Sequence, residues 1–191
     1  SFYLLTYGDG FFTINPDGTG LRQVTHPPRG VSDVKPDWSP DGRAIAFVRI
    51  TANGCGNGCE TDEIVVVRSD GASPRRVAFD PPGKGCHAGG VCRGIAAWSP
   101  DGKRLAFACD DKICITDADG SALHRLPQDQ PGGLVDGNPA WSPDGKLIAF
   151  NRAVRTEHAV FVARADGTEA RQVTPWQLDG AQPDWSPDGT R

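Results

Sequence analysis

The side chains in this 191-residue chain with the plainest capacity for chemistry are six cysteines in three close pairs: Cys55 and Cys59, Cys86 and Cys92, Cys109 and Cys114. Two chemistries compete for them. Zinc frameworks favour two to four residues between ligands and a second matching knuckle, whereas three, five and four residues intervene here and one histidine, His87, lies nearby. An even cysteine count in a small loop-rich chain points instead to disulfides between neighbours and to an oxidising compartment. The third pair is the most concrete. A hairpin turning at Asp111-Lys112 would set Cys109 directly opposite Cys114, within reach of a bridge.

The second set with chemical potential is polar. Asp33, Asp136 and Asp179 lie five or six positions before Trp38, Trp141 and Trp185, and Lys35, Ile95, Asn138 and Gln182 lie three before each of the four repeated tryptophans. These groups are expected to converge at the mouth of a central channel, where a small ligand, a cation or the anionic tail of a partner could sit. The plainer reading is a channel filled with water, because carboxylates and amides without a full oxygen cage bind calcium poorly. No metal and no cofactor is expected. Trp176, in the connection TPWQLDG, stands outside the repeat. It is either an exposed aromatic anchor of the kind enriched at binding hot spots or a cap over a sheet edge.

Catalytic signatures do not appear in the sequence. It contains no G-x-S-x-G elbow, no H-E-x-x-H and no P-loop, and its Gly-rich strings GCGNG and GKGCHAGG precede no helix that could hold a phosphate. His124 falls in a fourth strand, and His26, His87 and His158 are expected in loops, none in a context that pairs it with a nucleophile. The string DADG at residues 117–120 resembles the start of a calcium loop, lacks the later ligands and matches an Asp-Gly turn found in every repeat. An enzyme is not expected.

What must position these residues is a repeat. Trp-Ser-Pro-Asp-Gly occurs at residues 38–42, 98–102, 141–145 and 185–189, and in three copies an aromatic follows nine positions after the Trp: Phe47, Phe107 and Phe150. Trp-to-Trp intervals of 60, 43 and 44 residues, with apolar strand-length runs between Asp-Gly turns, are the mark of four-stranded propeller blades. The first strand of each blade ends at the Trp, IAF-type runs form the second, EIVVVR-type runs the third, and LRQVT-type runs the fourth. The reading is an all-β propeller of four blades at 27–79, 93–128 and 136–174, with 180–191 and 1–26 sharing the last. Counting across the two ends puts Tyr3 nine positions after Trp185, the aromatic position. The alternative is an open arc of a larger propeller.

The pattern P-x-W-S-P-D-G-x-x-I-A-F followed by D-G and V/L-T resembles the TolB-like, WD-repeat-like propeller family and covers nearly the whole chain. That resemblance implies a docking surface for other proteins, as in the periplasmic Tol–Pal system, or a gating domain beside a prolyl oligopeptidase-type hydrolase. Such members usually carry more blades than this chain supplies.

Composition narrows the field further. A net charge of −4, with basic residues scattered among acidic ones, offers no stripe for phosphate backbones, so nucleic acid is not an expected partner. The apolar runs are strand-length, far below the ~20 residues of a membrane-spanning helix. The absence of any methionine fits a processed or excised polypeptide. Residues 51–62 and 80–94 are enlarged, Gly-rich and hold Cys pairs, which places an elaborated loop face at the end opposite the Asp-Gly turns. The expectation is a monomeric, non-catalytic, extracytoplasmic module that binds a protein, using Asp33, Lys35, Asp136, Asn138, Trp176, Asp179 and Gln182. The alternatives are a carbohydrate-binding propeller, although Trp176 has no counterpart at the equivalent connections of the other repeats, and the non-catalytic gating propeller of a prolyl oligopeptidase-type hydrolase.

Overall fold

A computed structural model describes residues 3–7, 10–52, 60–79, 95–127, 134–178 and 182–190. The organising feature is the turn after each tryptophan. Pro and Asp close it, and Gly42, Gly102, Gly145 and Gly189 take φ of 68–70°, a region in which a Cβ is disfavoured. Ser39 Oγ donates to Asp41 Oδ1 at 2.7 Å and accepts from the Ala44 amide at 2.9 Å, while Asp41 Oδ1 accepts from the Arg43 amide at 3.0 Å. Ser99–Asp101, Ser142–Asp144 and Ser186–Asp188 repeat the same serine–aspartate bond at 2.6–2.7 Å.

These turns join short antiparallel strands. The first sheet has three: β1 (Tyr3–Tyr7), β2 (Gly10–Ile14) and β3 (Arg22–Gln23). The second has β4 (Val31–Trp38), β5 (Ala44–Ala52), β6 (Glu60–Arg68) and β7 (Arg75–Phe79). The third has β8 (Ala97–Trp98), β9 (Arg104–Cys109), β10 (Lys112–Asp117) and β11 (His124–Arg125). The fourth has β12 (Leu134–Trp141), β13 (Leu147–Val154), β14 (Glu157–Arg164) and β15 (Arg171–Gln172). Three sheets thus begin with a strand ending in the repeated tryptophan, as the pattern predicts.

Alternation along each second strand feeds two cores at once. Ile45 and Phe47 pack with Phe11 and Val24 of the first sheet, whereas Ala46 and Val48 pack with Leu105 and Phe107 of the third. Ala106 in turn faces Ile148 and Phe150 of the fourth. The aromatics nine positions after each Trp, Phe47, Phe107 and Phe150, are buried, which is why that spacing recurs.

Tryptophan indoles link neighbouring inner strands by one rule. In three of the four repeats Nε1 donates to the carbonyl just before the preceding repeat tryptophan: Trp98 to Asp37 O at 3.2 Å, Trp141 to Ala97 O at 3.2 Å and Trp185 to Ala140 O at 3.1 Å. The fourth strands of the first two sheets add a second link, because Arg75 on β7 donates to the Ala118 carbonyl in the next blade's turn at 2.6 Å and Arg22 on β3 donates to the Asp70 carbonyl of the turn after it.

Two sequence expectations change here. Among the described residues the first sheet has no inner strand and residues 182–190, which carry the fourth repeat of the turn, form none, so these residues trace an open arc rather than a blade shared between the ends. The count across the ends is also offset by two. Phe12, five before Asp17, corresponds to Val65, Cys114 and Phe161, each five before its own Asp-Gly turn; its pairing with Leu5 puts Leu5, not Tyr3, in the place of Phe47. An offset of two keeps the period-two alternation of a strand intact, so alternation alone could not reveal it.

Candidate functional site

The expected site lies at the end of the arc where second strands turn into third strands. Asp33 on β4 stands opposite Arg49 on β5, and Asp136 on β12 opposite Arg152 on β13, so both aspartates face a cation directly across the ladder. The pairing is bidentate in each. Arg49 Nε and Nη2 reach the two Asp33 oxygens at 2.7 and 2.9 Å, and Arg152 reaches those of Asp136 at 2.6 and 2.8 Å. Asp33 and Asp136 are 1 % and 2 % exposed and Arg152 is 3 % exposed. The bonds to Asp33 hold the Arg49 guanidinium above its ordinary value.

These aspartates are therefore engaged within their own sheets instead of lining an acidic mouth. Their burial alongside apolar blade cores requires paired charge, since an isolated carboxylate there is costly. Each arginine also lies over aromatic rings, Arg49 over Phe47 at 5.4 Å, Arg152 over Phe150 at 5.4 Å and over Phe161 at 4.5 Å. The sequence carried a signal for these partners in Arg49 and Arg152, each eleven residues after its tryptophan.

Lys35 and Asn138 sit at matching irregularities, where the ladder register shifts between Val34 and Asp37 and between Gly137 and Ala140. Both take positive φ, 53° and 48°, although both precede a proline. Such bulges re-aim a side chain, and their recurrence in two blades marks them as built features. Lys35 is exposed, whereas Asn138 Nδ2 donates to Asn151 Oδ1 at 3.1 Å. Ile95 is exposed beside β8 and Gln182 is exposed before Trp185. Asp179 lies outside the described residues, as do Cys55, Cys59, Cys86, Cys92 and His87.

Trp176 opens a single 3-10 turn (Trp176–Leu178) and packs on Phe161 of β14 with ring centroids 5.9 Å apart. It is partly buried, as a cap over the fourth sheet. His124 lies in β11 as expected, with Nδ1 3.1 Å from the Ala122 carbonyl. His158 lies in β14 rather than a loop, because Arg155 at φ 54° lets β13 reverse in two residues. DADG at 117–120 is a turn, with Asp119 Oδ1 accepting from the Ser121 amide at 2.9 Å.

Cys109 and Cys114 are disulfide-bonded, with Cα atoms 5.8 Å apart. The hairpin turns one residue earlier than expected. Asp110 and Asp111 occupy it with φ of 45° and 62°, the backbone of a tight hairpin that aspartate tolerates. Cys109 then pairs with Lys112 and Cys114 with Phe107, so the bridge spans the diagonal and not a directly opposed pair.

At the opposite end, a groove of about 350 Å³ runs between the third and fourth blades, lined by Pro100, Asp101, Arg104, Pro143 and Asp144. No group of three or more His, Cys, Asp or Glu side chains among the described residues is placed to hold a metal ion. No helix among them is long and apolar enough to cross a membrane.

No protein-family model matches the chain, and no curated protein does. Solved structures do. A putative TolB from Agrobacterium tumefaciens superposes with a TM-score of 0.64 at 22 % identity over 91 % of this chain and 58 % of that one. TolB from Acinetobacter baumannii gives 0.70 at 20 % identity over 98 % and 43 %. The chain has a TolB-like β-propeller fold. An oligogalacturonate lyase in complex with manganese superposes at 0.74 with 13 % identity, over 99 % of this chain and 53 % of that one. The TolB-like arc thus spans about half the length of the structures it matches.

Proposed function

We propose that this propeller is a non-catalytic module that works outside the cytoplasm and binds a protein partner on the end where second and third strands meet. The observation that carries this reading is the repeated reinforcement of that end. The second, third and fourth sheets are each fixed there, by Asp33–Arg49, by Cys109–Cys114 and by Asp136–Arg152. A rigid rim beneath displayed loops lowers the ordering cost of recognition, which is how scaffolded binding surfaces gain affinity. A disulfide belongs in an oxidising compartment, which supports the extracytoplasmic assignment.

A photo-crosslinking residue at exposed Lys35 should capture a protein, and the same residue at exposed Asp101, in the turn at the other end, should not. Equal capture from both positions would overturn the reading. Retention of the protein on an oligosaccharide matrix without any captured protein would favour the carbohydrate-binding alternative.

A further inference from the structure

A guanidinium and a carboxylate line the groove between the third and fourth blades without pairing with each other. Arg104, at the start of β9, lies over the Trp141 ring at 4.7 Å from its centroid. The indole is itself fixed by its bond to Ala97 O at 3.2 Å. A ring holds a cation through its face and offers no lone pair to the N–H groups. Those donors remain open, since Arg104 makes no side-chain hydrogen bond or ion pair among the described residues.

Asp101 stands three residues earlier, in the turn that forms one wall of the groove. Its Oδ1 accepts from Ser99 Oγ at 2.6 Å and from the Lys103 amide at 3.1 Å, while Oδ2 accepts no hydrogen bond among the described residues. The Ser99 hydroxyl and the Lys103 amide, with a smaller contribution from the Arg104 charge, hold the carboxyl below its ordinary value. The two groups thus sit near enough for their charges to act on each other, yet they form no ion pair. On the facing wall Asp144 is already engaged: Oδ1 serves its own turn and Oδ2 lies 3.4 Å from Lys146 Nζ.

The walls are a product of the repeat and the floor is not. A Cβ added at Gly145 would meet Pro100 at 3.7 Å, and one at Gly102 would meet Pro40 at 3.7 Å, so each turn packs on the turn before it. The position of Arg104, six residues after its blade's tryptophan, holds Ala44 in the second sheet and Leu147 in the fourth. Among the sheets that begin with a tryptophan strand, the third alone places a guanidinium there. Its groove, of about 350 Å³, has room for a small molecule.

We propose that this groove binds a small aminocarboxylate, a molecule carrying one ammonium and one carboxylate group, through both charges at once. The carboxylate accepts from the open N–H groups of Arg104, the pairing in which a guanidinium is strongest. The ammonium donates to Oδ2 of Asp101, and the carbon chain between the two charges runs along Pro100 and Pro143. A simple anion would meet Asp101 and Asp144, and a simple cation would meet Arg104, so repulsion selects against either. The site lies at the end away from the loops and does not rest on the protein-binding reading of that other end.

The Trp141 indole N–H resonance, identified by its loss in Trp141→Phe, reports on the groove directly. It should shift saturably with at least one of glycine, β-alanine and γ-aminobutyrate, which carry the same two charges at three spacings. Acetate and ethylammonium, at matched ionic strength, should bind at least about tenfold more weakly, as expected when one charged hydrogen bond is lost. Arg104→Ala, with the residue type that the second sheet tolerates at Ala44, and Asp101→Asn, which retains Oδ1 for the turn, should each weaken binding by a similar factor. The remaining indole resonances should stay in place, showing that the fold is kept. No saturable shift with any of the three aminocarboxylates, equal binding of acetate or ethylammonium, or binding that survives either substitution overturns the proposal.

Discussion

Cys109 on β9 stands where Arg152 stands on β13: each lies eleven residues after its blade's tryptophan, and each reaches along the same diagonal of its hairpin, Cys109 to Cys114 and Arg152 to Phe161. The two contacts hold together the same pair of strands. One blade uses a covalent bridge where its neighbour uses a guanidinium seated over a ring and paired with Asp136.

Losing either device should loosen its hairpin, by different amounts. A disulfide closing so short a loop contributes about 2 kcal/mol through the unfolded chain, so replacing Cys109 and Cys114 together by Ala should lower stability by about that much. Arg152→Ala leaves a buried carboxylate without its cation and should cost about 3–5 kcal/mol. Denaturant unfolding measures both. If Arg152→Ala costs no more than Lys103→Ala at an exposed turn, the ion pair has no structural role.

The tryptophan rule gives a second prediction. Trp141 is 7 % exposed, donates to Ala97 O and carries Arg104 over its ring at 4.7 Å. Trp141→Ala should cost about 3–5 kcal/mol, in the range for buried aromatics. Trp141→Phe keeps much of the packing but loses the indole bond to the Ala97 carbonyl, at a cost of about 0.5–1.5 kcal/mol. Thermal unfolding of the two variants should rank them in that order, and equal losses would mean that the indole bond contributes nothing.

Much of this was legible in the residues because the turn chemistry is local. Ser, Asp and Gly of each W-S-P-D-G contact one another within a few positions, so the pattern reported blades and strand order directly, and the recurring aromatics Phe47, Phe107 and Phe150 prove to be buried. The ion pairs were harder to see. Asp33 and Arg49 are sixteen residues apart, and only the register across the hairpin joins them. For the same reason the acidic residues read as a channel mouth. The repeats left two readings open, a four-bladed ring and an open arc of a larger propeller, because closure depends on curvature, which accumulates over many blades and leaves no mark in any one repeat.

Asp37 should behave as a destabilising carboxylate at neutral pH. Burial raises its value above that of an ordinary carboxyl, only partly offset by the Trp98 amide donating to Oδ2 at 3.3 Å. With the folded value raised, the folded state holds the proton more tightly. Charged Asp37 therefore subtracts stability above that value, and the penalty is relieved as pH falls through it. Ala97 and Ala140 fill the same place before Trp98 and Trp141, so the site does not require a charge. Asp37→Asn should stabilise the protein at pH 7, with the gain shrinking toward pH 4. A loss of stability at pH 7 would show that the charged form makes a favourable contact.

The serine–aspartate turns should respond to acid in the opposite sense. In Asp41, Asp101, Asp144 and Asp188 the hydroxyl of the preceding serine, followed by a backbone amide, stabilises the ionised carboxylate and lowers its value from 3.8. A folded value below the unfolded one means that the unfolded state binds the proton first. The stabilisation is thus complete above the unfolded value and is lost as pH drops through it toward the lowered folded value. Because four turns share the shift, stability should hold from neutral pH down to about 4 and then fall steeply. Replacing Asp144 by Asn removes one of the four, so the variant should be less stable at pH 6 and should converge with the wild type near pH 2. Urea unfolding across that range provides the check, and a difference between the two proteins that persists undiminished at pH 2 would mean that the turn is held by the geometry of its hydrogen bonds rather than by the charge on Asp144.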